Sequence, residues 1–374
     1  MKGIFLELDY LSRNTNHPPI EVREERRRVQ KRRRNKKRIR RIIFKFTLIS
    51  FIIGTSTLGY AAWRFEKAID HIFLKPDYPT ERTSFSHESK QGMEKLEETK
   101  PFSVLIMGRD SRSETGTNLT DVMMVAAIDP AEKEVSMVSI PRDTKVMVPE
   151  VSRELKVNSV FNVGDQLRRE AERSEHTSDT DGPTLAKRTV GRLFMIPIDH
   201  YIVVDFNSFV EIVDEVGGIT VQVERDLVYN DPTDNTHINL QAGIQQLDGK
   251  NALDWIRHRH DDRGVDYYSS DFDRNRRQQE AIKAIAQKLA GWSGATGIFE
   301  IMDTMAEHIQ TDLTKDQIKD LLWNLKSFDL NHLKSIETPH VYWDSHRLQT
   351  VIPEEDLSLV HDELNFILNK GKDK

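Results

Sequence analysis

The sequence predicts an α/β protein: a mixed central β-sheet covered by helices on both sides (α-β-α), preceded by one transmembrane helix. Three observations predict it. Short apolar runs bounded by turn residues, such as FSVLIMG (102–108) and EVSMVSIP (134–141), read as strands buried on both faces. Helical stretches alternate with them, as in layered α/β proteins. Near the N-terminus, a 22-residue apolar span (42–63) follows a stretch, 23–41, in which thirteen of nineteen residues are Lys or Arg.

The span IIFKFTLISFIIGTSTLGYAAW can cross a hydrocarbon core of roughly 30 Å as a helix. Lys45, its one charge, lies within snorkelling reach of headgroups, and Tyr60 and Trp63 fall where an interfacial aromatic belt sits. The basic run fits the positive-inside rule and lacks helix-turn-helix patterning, so no nucleic-acid partner is expected. No A-x-A cleavage site accompanies the span, which is therefore expected to stay as an anchor. The expected layout is a basic cytoplasmic segment (1–41), a transmembrane helix (42–63), an extracellular stalk (64–100) and a catalytic domain (101–374). Residues 1–63 carry a net charge of +11 and residues 64–374 a net of −17. A basic cluster in the exported part thus stands out from its background. Cysteine is absent, which excludes disulfides, thiol chemistry and Cys-based metal sites.

Along the domain, strands are expected at 102–108, 121–129, 134–141, 200–206 and 219–223. The three residues AEK (131–133) suit a hairpin, which makes the sheet mixed. Helices are expected at 182–194, 209–218, 273–290, 296–308, 314–326 and 355–369. The polar stretch 165–181 reads as a surface insertion.

The chemistry-bearing residues cluster near strand ends and one helix start. In SSDFDRNRRQQEAI (269–282), Asp271 is a good helix N-cap. The apolar row of Ala281, Ile282 and Ile285 runs back through Gln278 to Arg274, so these two face the body of the domain, while Arg276 shares a solvated face with Glu280 and Lys283. An inward arginine needs an anion or a carboxylate partner, and Asp271 and Asp273 are the local alternatives to a ligand. In WIRHRHDD (255–262), Arg257 and Arg259 are two apart and face one side if the segment is extended. Arg142 emerges from the end of the third strand, Asp110 follows the first and Asp121 opens the second. Strand ends are where ligands bind in α/β sheets. Two carboxylates facing several guanidinium groups suit a divalent cation clamped on a diphosphate. His258, His260, Asp261 and Asp262 form a weaker metal candidate, lacking a further ligand at helical spacing.

FSVLIMGRDSR, TDVMMVAAIDP, VSMVSIPRDT, KVNSVFNVGD, PIDHYIVVDFNSFVEIVDEVGGITVQV, LDGKNALDWIRHRHDD and DFDRNRRQQEAI resemble, in order and spacing, the successive motifs of the LytR-CpsA-Psr family. The resemblance implies a transferase in a Gram-positive-type envelope. It would move an anionic glycopolymer, such as wall teichoic acid, from a polyprenyl diphosphate carrier in the membrane lipid to peptidoglycan. By the same resemblance Asp110 and Asp121 hold Mg²⁺, and Arg142, Arg257, Arg259, Arg274 and Gln278 grip the diphosphate. Asp271 orients the arginines or takes the acceptor's proton. Two departures stand out: GTNLTD (116–121) lacks the arginines members often carry there, and Asp273 stands where glycine is common. Two other readings remain open at this stage: a non-catalytic regulator that binds wall polymer or lipid carrier, and a pyrophosphatase acting on the carrier-linked polymer.

Overall fold

The computed structural model describes residues 100–110, 119–176, 178–232, 236–291, 309–314, 317–318, 321, 333–338 and 340–370, together with Thr55, Ser56, Gly59, Tyr60 and Trp63. Two units divide at Arg64. In the first, the Tyr60 and Trp63 rings lie 5.8 Å apart. The remainder of the span expected at 42–63 lies outside the described residues, as do segments 1–41 and 64–99. Among the described residues no helix is long and apolar enough to cross a membrane.

In the second unit, β1 (Phe102–Arg109), β2 (Thr120–Asp129) and β3 (Glu134–Ser139) form an antiparallel meander. The turn after β2 is built as the sequence implied. Asp129 accepts from the N–H groups of Ala131 and Glu132, and Lys133 takes a φ of 59°. A hairpin of β4 (Lys145–Val148) and β5 (Arg153–Lys156) leads to α1 (Val157–Arg173), α2 (Gly182–Phe194), β6 (His200–Asp205) and α3 (Phe206–Glu215). Next come β7 (Ile219–Val223), β8 (Leu227–Asp231), β9 (Thr236–Leu240), β10 (Gly243–Leu247), α4 (Gly249–Arg257) and α5 (Asp271–Gly291). The chain closes with β11 (Ile309–Thr311), β12 (Lys334–Ile336), β13 (Tyr342–Asp344), β14 (Gln349–Val351) and α6 (Glu354–Asn369).

The main sheet runs β11-β6-β1-β2-β3-β12. β6 joins β1 and β12 joins β3 in parallel, so the sheet is mixed, as expected. Alternating residues divide its faces. Leu105, Met107, Met123, Val125 and Val138 pack with α1, α2 and α6 through Phe161, Leu185, Val190 and Leu364. On the other face Ile106, Met124, Ala126 and Met137 meet Ile282 of α5. A second cluster gathers α3, α4, α5 and β7–β10 around the fully buried Trp255. Gly249 opens α4 where a Cβ would come 2.1 Å from the Val210 carbonyl oxygen, so only glycine lets α4 lie this close to α3.

Three expectations change. Of the surface insertion expected at 165–181, residues 165–173 continue α1, whose Val157, Val160 and Phe161 are buried and whose Asp165 accepts from the Gly182 N–H. The helix expected at 209–218 starts at Phe206, because Asp205 caps it through the Ser208 N–H. The hairpins β4–β5 and β8–β9, and the pairing of β7 with β10, are absent from the sequence reading. The helix expected at 296–308 and most of that at 314–326 lie outside the described residues.

Candidate active site

At the β1–β2 end, Gly108 pairs with Val122 and Arg109 with Thr120, leaving Asp121 alone in a β-bulge. Bulges re-aim side chains, and Asp121 enters a cavity of about 110 Å³ with Val122 beside it. Arg142, in the turn after β3, reaches the same cavity and donates to Asp121 Oδ1 at 2.7 Å. Asn158, near the start of α1, ties the two carriers together. Its N–H donates to the Arg142 carbonyl at 3.1 Å, and its own carbonyl accepts from Thr120 Oγ1 at 3.3 Å. This is the role of the KVNSVF stretch (156–161), which its sequence does not disclose.

The opposite wall comes from α3, α4 and α5. Arg257 is the last residue of α4 rather than part of an extended segment, and its guanidinium lies 4.9 Å from the centroid of the Phe206 ring. Arg259 follows in the loop, and both guanidinium groups line the cavity, as do Arg274 and Gln278 of α5. The helical phase expected for α5 is observed: Arg274, Gln278 and Ala281 are buried and Arg276 is exposed. Six of the eight expected site residues therefore line one cavity.

The other two flank it. Asp271 is the first helical residue rather than the cap, and it accepts from Arg274 at 3.0 Å. Ser270 caps α5 instead. Its hydroxyl accepts from the Asp273 N–H, and Asp273 accepts from both Ser270 donors. Asp273 thus completes a capping box. Asp110 is buried at the end of β1, its N–H donating to the Leu119 carbonyl at 3.2 Å, and it is not among the residues lining the cavity.

The cavity's electrostatics are under-balanced. Four arginines line it with Asp121, which pairs with Arg142, while Asp271 pairs with Arg274. Burial pulls the Arg274 guanidinium below its ordinary value, Asp271 opposes the shift, and the charges of Arg142 and Arg259 add to it. Arg274 Nε is buried with no hydrogen-bond partner among the described residues. Guanidinium groups outnumber the carboxylates lining the cavity, which favours an anionic ligand such as a diphosphate.

Arg277, which the sequence reading passed over, holds this wall in place. It is fully buried and donates to Glu224, Ser269 Oγ and the carbonyls of Trp255 and His258. Its spacing of three from Arg274 on the inward row was the available signal. The histidine-aspartate alternative for a metal dissolves. His258 bonds Ser269 Oγ at 2.8 Å and lies 3.3 Å from Asp261, which pairs with Arg263, while Asp262 accepts from Asn230 and His260 meets Tyr268 edge-on. Burial, then the Arg277 charge, lowers His258 to about 4, so it stays neutral. Among the described residues no group of three or more His, Cys, Asp or Glu side chains is placed to hold a metal ion.

Known proteins resemble this chain. The family described as LytR_cpsA_psr matches residues 74–364. The polyisoprenyl-teichoic acid–peptidoglycan teichoic acid transferase TagU of Halalkalibacterium halodurans is 28% identical over 331 residues, 84% of this chain and 95% of its own. The protein of the same name from Enterococcus faecalis is 29% identical over 338 residues, 89% and 98% of the two chains. The crystal structure of B. subtilis TagV superposes with a TM-score of 0.57 at 27% identity, over 72% of this chain and 98% of that one. On the strength of the family match across the sheet, the bulge and both arginine-bearing helices, the chain belongs to the LytR-CpsA-Psr family.

Proposed function

We propose that this protein is a membrane-anchored extracellular phosphotransferase. It attaches an anionic glycopolymer of the wall teichoic acid kind, carried on a polyprenyl diphosphate, to peptidoglycan. The observation that carries the reading is the convergence of Arg142, Arg257, Arg259, Arg274 and Gln278 on one cavity, where a surplus of guanidinium groups favours a diphosphate diester. The relatives named as teichoic acid transferases support the substrate class. The basic run before the apolar span 42–63 supports an anchor with the N-terminus in the cytoplasm.

In the reaction an acceptor hydroxyl attacks the polymer-side phosphorus, forming a new P–O bond. The bond to the bridging oxygen breaks, polyprenyl phosphate leaves, and the hydroxyl proton passes to a carboxylate. Charge stabilisation and in-line positioning are what this chemistry asks of a protein. The arginines supply the first, and Gln278 together with the Asp271–Arg274 pair fixes the second. Asp271, with about a third of its side chain exposed beside Arg274, is the carboxylate placed for the proton.

Asp110 and Asp121 sit at the same end of the β1–β2 ladder. Two carboxylates suit Mg²⁺, which binds through one or two carboxylates plus substrate phosphates. When bound, the cation adds positive charge against the phosphate oxygens.

The test incubates the protein with lipid-linked polymer, peptidoglycan oligomers and Mg²⁺, and seeks the polymer–peptidoglycan conjugate by mass spectrometry. Binding without any product would establish a regulator instead, and free phosphorylated polymer alone would establish a pyrophosphatase. Protease added to intact protoplasts should digest residues 64–374 and spare the N-terminus; protection of the domain would overturn the topology.

A further inference from the structure

The outer side of α5 borders a second and larger cavity, about 270 Å³, whose lining includes Phe272, Asn275, Gln279, Ser139, Ser335 and Glu337. Its position relates directly to the arginine cavity. Residues 272, 275 and 279 share a face of α5 about a third of a turn round from that of Arg274 and Gln278, so one helix forms a wall of both. Ser139 ends β3, and the chain continues through Ile140 and Pro141 to Arg142, a path of at most about 11 Å.

The chemistry of the two cavities differs. The inner one has a surplus of guanidinium groups. In the outer one Arg276 is already paired with Asp273 at 3.2 Å, and the Glu337 carboxylate is exposed, so a phosphate-rich chain is not favoured there. What it offers is a half-exposed aromatic ring (Phe272), an amide (Asn275), a carboxylate and ordered hydroxyls. Gln279 Nε2 donates to Ser139 Oγ at 2.9 Å and its amide oxygen accepts from Ser335, which fixes a polar floor. An apolar ring face beside convergent donors and acceptors suits an uncharged, N-acetylated sugar ring, whose C–H face can pack on Phe272 while its hydroxyls and amide bond the rest. The volume lies near the lower end of ligand-sized pockets, about 300–1,000 Å³.

We infer that this groove is the acceptor-glycan subsite, which holds a peptidoglycan sugar so that its hydroxyl is delivered past the start of α5 to the phosphorus. The inference rests on the transfer reading and adds to it the place where the acceptor binds.

The test uses the full chain in detergent micelles with Phe272→Ala and Asn275→Ala, both at positions that are not fully buried. Two readouts are taken: the KM for peptidoglycan oligomers at saturating lipid-linked polymer, and direct binding of a soluble N-acetylhexosamine oligomer by saturation-transfer NMR. Expected are a roughly tenfold rise in acceptor KM for each variant, a KM for the lipid-linked donor that stays put, and loss of the NMR signal. An unchanged acceptor KM in a protein that does transfer would overturn the subsite and leave the transfer reading standing. Oligomer binding that depends on Phe272 in a protein making no conjugate would keep the groove as a glycan site and sink the transfer reading. No oligomer binding by the wild-type chain would overturn the groove outright.

Discussion

Arg274 and Arg277 stand one turn apart on the same face of α5, and both are buried. Arg277 belongs to a hub in which Glu224, Ser269 and two backbone carbonyls take up its donors. Arg274 belongs to the cavity, where Asp271 pairs with it and Asp121 attracts it, its Nε has no hydrogen-bond partner among the described residues, and Arg142 and Arg259 repel it. Burial by itself therefore says little about what an arginine does. An arginine answered from within the protein fixes shape. One left under-neutralised among like charges is built for an anion from outside.

Removing Arg277 gives the largest expected effect. Arg277→Ala leaves Glu224, Ser269 and the Trp255 and His258 carbonyls without their donor, and breaking a buried pair costs about 3–5 kcal/mol. Thermal unfolding should fall by about 10 °C. An unchanged melting temperature would erase the distinction between hub and cavity.

Arg274→Ala should do the reverse. Loss of one donor to developing phosphate charge costs about 2.7–4 kcal/mol, roughly a hundredfold or more in transfer rate. The melting temperature should hold or rise, because the guanidinium lost is one that burial penalises and Arg142 and Arg259 repel, against the attraction of Asp271 and Asp121. A variant that unfolds while its surviving folded fraction transfers normally would make Arg274 a second hub residue.

Much of this division was legible before the fold. Helical phase alone sent Arg274 and Gln278 inward and Arg276 outward, because period 3.6 is a local property. The β2–β3 hairpin was legible for the same reason. What was not legible depends on contacts distant in sequence. Asn158 joins Thr120 to Arg142 across 38 and 16 positions, through backbone groups that carry no residue-type signal. The bulge that aims Asp121 exists only as a register slip between two strands. Arg277 looked like one more charge because its answering groups, Glu224 and Ser269, lie on other elements.

A third test sharpens the contrast through pH. His258 sits in the hub beside Arg277, Asp261, Arg225 and Ser269, and its folded value of about 4 lies below the ordinary 6.5. Below pH 6.5 the unfolded chain takes up a proton that the folded chain refuses. The stability His258 contributes is thus whole above about pH 6.5 and is lost as pH falls toward 4, up to about 3 kcal/mol. His258→Gln should flatten the melting-temperature profile across that window relative to wild type. Parallel profiles would mean that His258 is protonated in the fold and that the hub carries more charge than its geometry implies.

The smallest effect is expected at Arg276, and it is the strictest control. Arg276→Ala removes the same group as Arg274→Ala, two residues away on the same helix, so the change in net charge is identical. The side chain is 51% exposed, its partners are Asp273 at 3.2 Å and Glu224 at 3.8 Å, and Glu224 keeps Arg277 when Arg276 goes. Exposed pairs contribute about 0–1 kcal/mol. The rate of polyprenyl phosphate release at saturating acceptor should accordingly stay within about fivefold of wild type, and the melting temperature within a few degrees. Saturation with acceptor keeps the outer groove from entering the comparison. If release instead falls as far as in Arg274→Ala, the general positive field of the region rather than one inward guanidinium governs the rate. Placement of the diphosphate against the inner face of α5 would then be wrong.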